Sequence, residues 1–179
     1  QWYNDDALAK LGQPRREWEW QLSPQVVNAY YSASANEIVF PAAILQPPFF
    51  DPHADPAVNF AAIGAVIGHE MGHGFDDQGS RSDGSGMLRD WWTKDSREHF
   101  DAQAAVLVDQ FNAYEPIAGT RIKGELTLGE NIGDLGGMTI AYNAYQKFLR
   151  DSHNGEAPVL DGLSGDQRFF LSWAQVWRN

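Results

Sequence analysis

Apolar positions along this chain change period several times, and each change marks a different element. Residues 57–75 are almost continuously small and apolar, which predicts a helix buried on most of its sides. Its glycines weaken intrinsic propensity, so burial has to stabilise it. A second helix is predicted over residues 90–114, with Phe100, Ala104, Leu107, Val108 and Phe111 on one stripe. A third runs from about residue 130 to 150, with Met138, Ala141, Tyr142, Tyr145, Phe148 and Leu149 on one side. Thr127 and Glu130 have the spacing of a capping box at its start. Residues 164–177 form a fourth helical candidate. Residues 26–31 and 37–40 are β-prone and read as two short strands, paired antiparallel across residues 32–36. Residues 41–56 hold five prolines and read as loop. Residues 1–24 are Trp-rich and read as irregular, because Pro14 and Pro24 break any long helix. Residues 76–86 form a Gly-rich polar loop. Trp91, Trp92, Trp173 and the Phe100 stripe are expected in the core.

Length and charge narrow the function classes. The chain has 179 residues, enough for one domain with a substantial core. Thirteen basic residues stand against 24 acidic ones, for a formal charge of −11. That argues against a nucleic-acid partner, which needs clustered Lys and Arg; the acidic excess reads as solvated surface. No apolar run is long enough to form a membrane segment. Cysteine is absent, so disulfides and thiolate zinc sites are excluded. A cysteine-free chain fits cytoplasm and periplasm alike.

The chemistry concentrates at His69-Glu70-Met71-Gly72-His73. On a helix, residues four apart share a face one turn apart. Two imidazoles so placed grip one Zn²⁺, and the intervening Glu reaches the zinc-bound water. A catalytic zinc takes three protein ligands and keeps one open position. The third comes from a carboxylate or from His53, His99 or His153, and Glu130 is the best candidate. Asp134, four residues on, falls on the same helical face and suits a carboxylate that receives the other N–H of a ligating His. Asp76 and Asp77 either support the site in the same way or cap and bond the loop.

Several co-linear segments then carry a resemblance. They are Asn28-Ala29-Tyr30-Tyr31, the run from Ile38 to Phe50, the run from Val66 to Asp77, the run from Leu128 to Gly137, and the run from Phe169 to Trp177. Together they resemble the neprilysin family of zinc peptidases (peptidase family M13, with bacterial PepO-type endopeptidases). The resemblance implies an α+β, thermolysin-like (gluzincin) catalytic domain, mostly helical with a small antiparallel or mixed sheet. It implies one Zn²⁺ per chain on His69, His73 and Glu130, with Glu70 as general base and Asp134 orienting a ligating His, His69 in the first place. Asn28 and Ala29 match the family's binders of substrate backbone, on an edge strand that accepts an extended peptide. Ile44, Phe49, Val66, Val176 and Trp177 match its hydrophobic pocket for the side chain after the scissile bond. The implied activity is endopeptidase cleavage of short peptides before hydrophobic residues, in an extracytoplasmic, bacterial periplasmic setting.

Residues 1–179 are thus expected to be a single catalytic domain. The family's later oxyanion-stabilising His and Arg segment lies beyond Asn179, and its upstream helical domain is not included, so the fragment alone is expected to be weakly active or inactive. Asp151-Ser152-His153 stands in the wrong order to substitute, and Asn154-Gly155 reads as a surface turn. Two other readings stay open: an aminopeptidase, for which no acidic anchor motif is visible, and a zinc-binding domain without turnover.

Overall fold

Two helices that cross through glycine organise the molecule. The structure is a computed structural model and describes residues 1–16 and 18–178. In chain order it contains α1 (Trp2–Ala9), β1 (Tyr30–Ser32), β2 (Glu37–Val39), α2 (Pro56–Asn59), α3 (Ala65–Gly72), α4 (Lys94–Asn112), α5 (Leu128–Ser152) and α6 (Gly165–Val176). The predominance of helix beside one two-stranded antiparallel sheet agrees with the expected α+β class. β1 and β2 pair in the register Tyr30 to Val39, Tyr31 to Ile38 and Ser32 to Glu37. The first strand is shorter than the β-prone run suggested, so Asn28 and Ala29 lie just before β1 rather than within it.

The helix predicted for residues 57–75 is built in three pieces. Asp55 caps α2 by accepting from the Ala57 amide. A π-helical turn, Phe60–Gly64, follows and widens the helix before α3. α3 ends at Gly72, with His73 at the C-cap still in helical conformation. Ala57, Ala61 and Ala65 are buried against Ala141, Tyr145 and Leu149 of α5 and Phe169 of α6. The stripe predicted on α5 faces this core, with Met138, Tyr142 and Phe148 packed at its edge. A second cluster, Ala29, Ile44, Ile63 and Val66, with Phe40, Phe49 and Phe50 against it, lies below the β1 end. Arg168 of α6 pairs with Asp55 and donates to the Pro158 and Leu163 carbonyls, tying α6 to the start of α2.

Three expectations fail here. The first 24 residues are not all irregular, since α1 forms ahead of Pro14. It is short enough for that proline to be irrelevant, and an Asp6, Lys10, Arg16 and Glu19 ion-pair network joins it to the following loop. The Phe100 stripe is not core, because no residue of α4 is buried. It opens onto a groove shared with Ile132, Leu135 and Ile140 of α5. Trp91 is exposed and Trp92 half-buried, whereas Trp173, half-buried, does pack against the core. Trp92 stacks edge-on to Phe100 and under the Arg97 guanidinium, so its packing is local rather than central.

Candidate metal centre

The site is assembled where α3 and α5 touch. That approach is closer than side chains permit: a Cβ on Gly68 would lie 2.7 Å from the Gly137 Cα. One turn along, a Cβ on Gly133 would lie 2.8 Å from His69 Nδ1. Glycine at both positions lets the α5 backbone pass directly behind the His69 ring. His69 and His73 leave α3 on one face, with ring centroids 4.6 Å apart and planes at 89°. Glu130, from the first turn of α5, faces both: Oε2 is 3.2 Å from His69 Nε2 and Oε1 is 3.8 Å from His73 Nε2. One ligand atom from each of the three falls within 4.8 Å of the others, the donor type and number that a catalytic zinc site uses.

Each imidazole has its own carboxylate behind it. His69 Nδ1 lies 2.8 Å from Asp134 Oδ1 and His73 Nδ1 2.8 Å from Asp76 Oδ2; an ionised carboxylate only accepts, so with both Asp ionised each Nδ1–H is the donor. Asp134 thus stands where the sequence placed it. Asp76 was left between two readings, and the structure gives it both. Its Oδ2 takes His73 while Oδ1 accepts the Gln78 and Gly79 amides at 2.9 and 2.7 Å. The signal for Asp76 was its position three residues after His73, across the helix end.

The electrostatics follow from these contacts. Burial is the largest influence on His69 and lowers its pKa, but the Asp134 hydrogen bond and the Asp134 and Glu70 charges together outweigh it, and the net direction is up. His73 is raised chiefly by its hydrogen bond to Asp76, against the burial effect. For Asp76, burial opposes ionisation, yet His73 and the two amides hold its pKa below the ordinary value. Glu70 is 5% exposed, and burial pushes its pKa up against the opposing pull of His69 and His73. Its Oε2 is buried without a hydrogen-bond partner, which is unusual for a carboxylate unless a ligand supplies the missing donor.

His69, Glu70, His73, Glu130 and Asp134 line one cleft of about 680 Å³. Asn28, Ala29, Ile44, Phe49, Val66 and Trp177 from the sequence reading also line it, joined by Val27, Tyr30, Tyr31 and Trp173. Val176 does not: it is the last residue of α6 and is buried, whereas Trp177, the helix C-cap, is exposed to the cleft. Phe49 and Trp177 meet edge-to-face at 6.3 Å and close one end. Thr127 makes no side-chain cap bond to α5, so the capping box is not formed and Glu130 is free to face the histidines. His53, His99 and His153 lie outside the cleft lining, and Asp151 pairs with Lys147 on the surface.

Comparisons with known proteins identify the family. Neprilysin-11 of Caenorhabditis elegans is 48% identical over 98% of this chain and 21% of its own length. Endothelin-converting enzyme 1 of Homo sapiens is 46% identical over 96% of this chain and 22% of its own. The chain therefore spans about a fifth of the length of these curated relatives. The inhibitor-bound crystal structure of the Mycobacterium tuberculosis zinc metalloprotease ZMP1 superposes with a TM-score of 0.93 at 55% identity, covering 98% of this chain and 27% of that one. A model of the family described as "Peptidase family M13" matches residues 28–179, and the chain belongs to that family.

Proposed function

We propose that this chain carries the catalytic centre of a zinc-dependent metalloendopeptidase that hydrolyses short peptides before hydrophobic residues. The observation that carries the reading is the convergence of His69, His73 and Glu130 beside a buried Glu70 with an orphaned oxygen. His69, His73 and Glu130 would hold one Zn²⁺ per chain. When bound, zinc supplies Lewis acidity, polarising the scissile carbonyl and bringing water's pKa to about 7. Glu70 takes the attacking water's proton at its carboxylate and delivers it to the leaving amine nitrogen. Its raised pKa suits both halves of that transfer, since a stronger base still releases the proton to an amine. Asp134 and Asp76 keep Nδ1 protonated and so hold Nε2 as the free lone pair on each imidazole.

Substrate selection follows from the walls. Asn28 and Ala29 precede β1, whose free edge can take an extended peptide by main-chain pairing. Ile44, Phe49, Val66 and Trp177 offer an apolar pocket for the residue after the cut, with Trp173 beside them. A second reading, a zinc-holding domain with little turnover by itself, is favoured by one observation. Among the described residues lining the cleft there is no Lys or Arg to stabilise the oxyanion, and losing one such donor costs about 10²–10³-fold in kcat.

Replacing Glu70 by Gln in the full-length protein tests the main reading. Zinc content should be unchanged while turnover of a fluorogenic peptide falls by about 10²–10⁴-fold. A variant with near-normal rate removes Glu70 as the base. Metal-loaded wild-type protein without turnover on any peptide leaves the second reading.

A further inference from the structure

We propose that Asp77 is a positioning residue for the metal centre, bracing the first turn of α5 so that Glu130 reaches the two histidines. This rests on the assignment of Glu130 as a metal ligand. The Glu130 side chain is mostly exposed, and among the described residues its ion-pair contacts are with His69 and His73. Its approach is therefore set by where the first turn of α5 lies. That turn lacks a side-chain cap of its own. The Thr127 hydroxyl donates to the Gly124 carbonyl at 3.5 Å and accepts from Asn131 Nδ2 at 2.8 Å, leaving the first amides of α5 without it.

Two carboxylates press on the same turn from the loop after α3. A Cβ on Gly129 would lie 3.1 Å from Asp76 Oδ2 and 3.3 Å from Asp77 Oδ1. Asp76 is fully committed to His73 and to the Gln78 and Gly79 amides. Asp77 is not. Its Oδ2 accepts from Gln78 Nε2 at 2.6 Å, while Oδ1 is buried with no hydrogen-bond partner. A negative oxygen at the positive end of a long helix is favourable, and it weakens if moved. Arg81 Nε donates to the Asp77 carbonyl at 3.1 Å and holds the residue in place. One loop thus registers two ligands: Asp76 sets His73, and Asp77 sets the turn that carries Glu130. Gly129 has no side chain to keep them apart.

The test is a double-mutant cycle read as zinc affinity, by competition with a chelating dye, in the intact chain. Asp77→Ala should weaken zinc binding by roughly 10–100-fold, as loss of an outer partner does. In a Glu130→Ala background the same change should cost less than about twofold, because residues that act through one another are not additive. Asp77→Asn, which keeps the oxygen and loses the charge, should fall between wild type and Ala. If Asp77→Ala does not fold, Asp77→Glu, which displaces the carboxylate by one methylene, carries the same cycle with the same expected sign. No loss from either variant, or an equal loss with and without Glu130, overturns the proposal. A Glu130→Ala chain that binds zinc normally overturns the ligand assignment itself and is distinguished by that single measurement.

Discussion

A carboxylate behind an imidazole and a carboxylate in front of it act differently on the same metal. Glu130 faces the Nε2 atoms and should be a ligand, so Glu130→Ala should abolish most zinc retention in elemental analysis. Asp134 and Asp76 act through the rings, and Ala at either should weaken zinc by roughly 10–100-fold. The two then part company in the metal-free protein. Asp134 is half exposed and bonds one ring. Asp76 also satisfies two backbone amides in a buried loop, and orphaning buried donors costs about 1–3 kcal/mol. Metal-free Asp76→Ala should therefore melt several degrees below metal-free Asp134→Ala; equal melting temperatures would show that the loop does not depend on it. Glu130 and Asp134 were legible in the sequence because helical periodicity puts them on one face. Asp76 was ambiguous because its partner is reached across a helix end, where no periodic rule applies. Thr127 misled for the converse reason. Its spacing to Glu130 satisfies the capping pattern, but the side chain finds other partners once Gly124 is folded against it.

At the scale of elements, the glycine crossing of α3 and α5 decides whether the ligands meet. Gly68→Ala places a methyl group 2.7 Å from the Gly137 Cα, against backbone that cannot swing away. The helices must separate, at a cost of about 1–3 kcal/mol for overpacking, and Glu130 moves with α5. Thermal unfolding and zinc affinity should fall together. Loss of stability with full zinc affinity would mean that the ligand geometry tolerates a shift of the helices. Phe169→Ala, in the fully buried cluster with Tyr145, should instead cost about 3–5 kcal/mol while zinc affinity stays near wild type as long as the chain is folded. The helical half of the fold was readable from its stripes, most fully on α5, whose apolar face does meet the core. The α4 stripe has the same period and fails, because period reports which residues share a face and not what covers it. The β-prone run was longer than the strand it forms: pairing stops at Tyr30, and the Asn28 side chain accepts from the Ala29 amide instead.

For the whole molecule, the two histidines make metal binding and stability respond to pH in opposite senses. Both imidazole pKa values are raised above 6.5 in the metal-free protein. A raised basic group contributes stability that is fully present below its unfolded pKa and is lost as pH rises through the folded one. Glu70, raised by burial, loses stability in the same direction, beginning above 4.5. Asp76 is lowered, so its contribution is present above the ordinary carboxylate range and falls away only on strong acidification. The metal-free chain should therefore become less stable as pH rises above about 6.5, in a window that Asp76 does not disturb. Zinc requires neutral imidazoles, so its affinity rises across that same window. At about 100 times Kd, a ligand adds about 2.7 kcal/mol, which for a domain this size is about 5–10 °C in Tm. Calorimetry with zinc and with chelator, in steps from pH 6 to pH 9, should show a zinc-induced rise in Tm that is small at pH 6, grows through neutrality and then levels off. A zinc shift that is constant or shrinks with rising pH would mean that His69 and His73 do not exchange their protons for the metal.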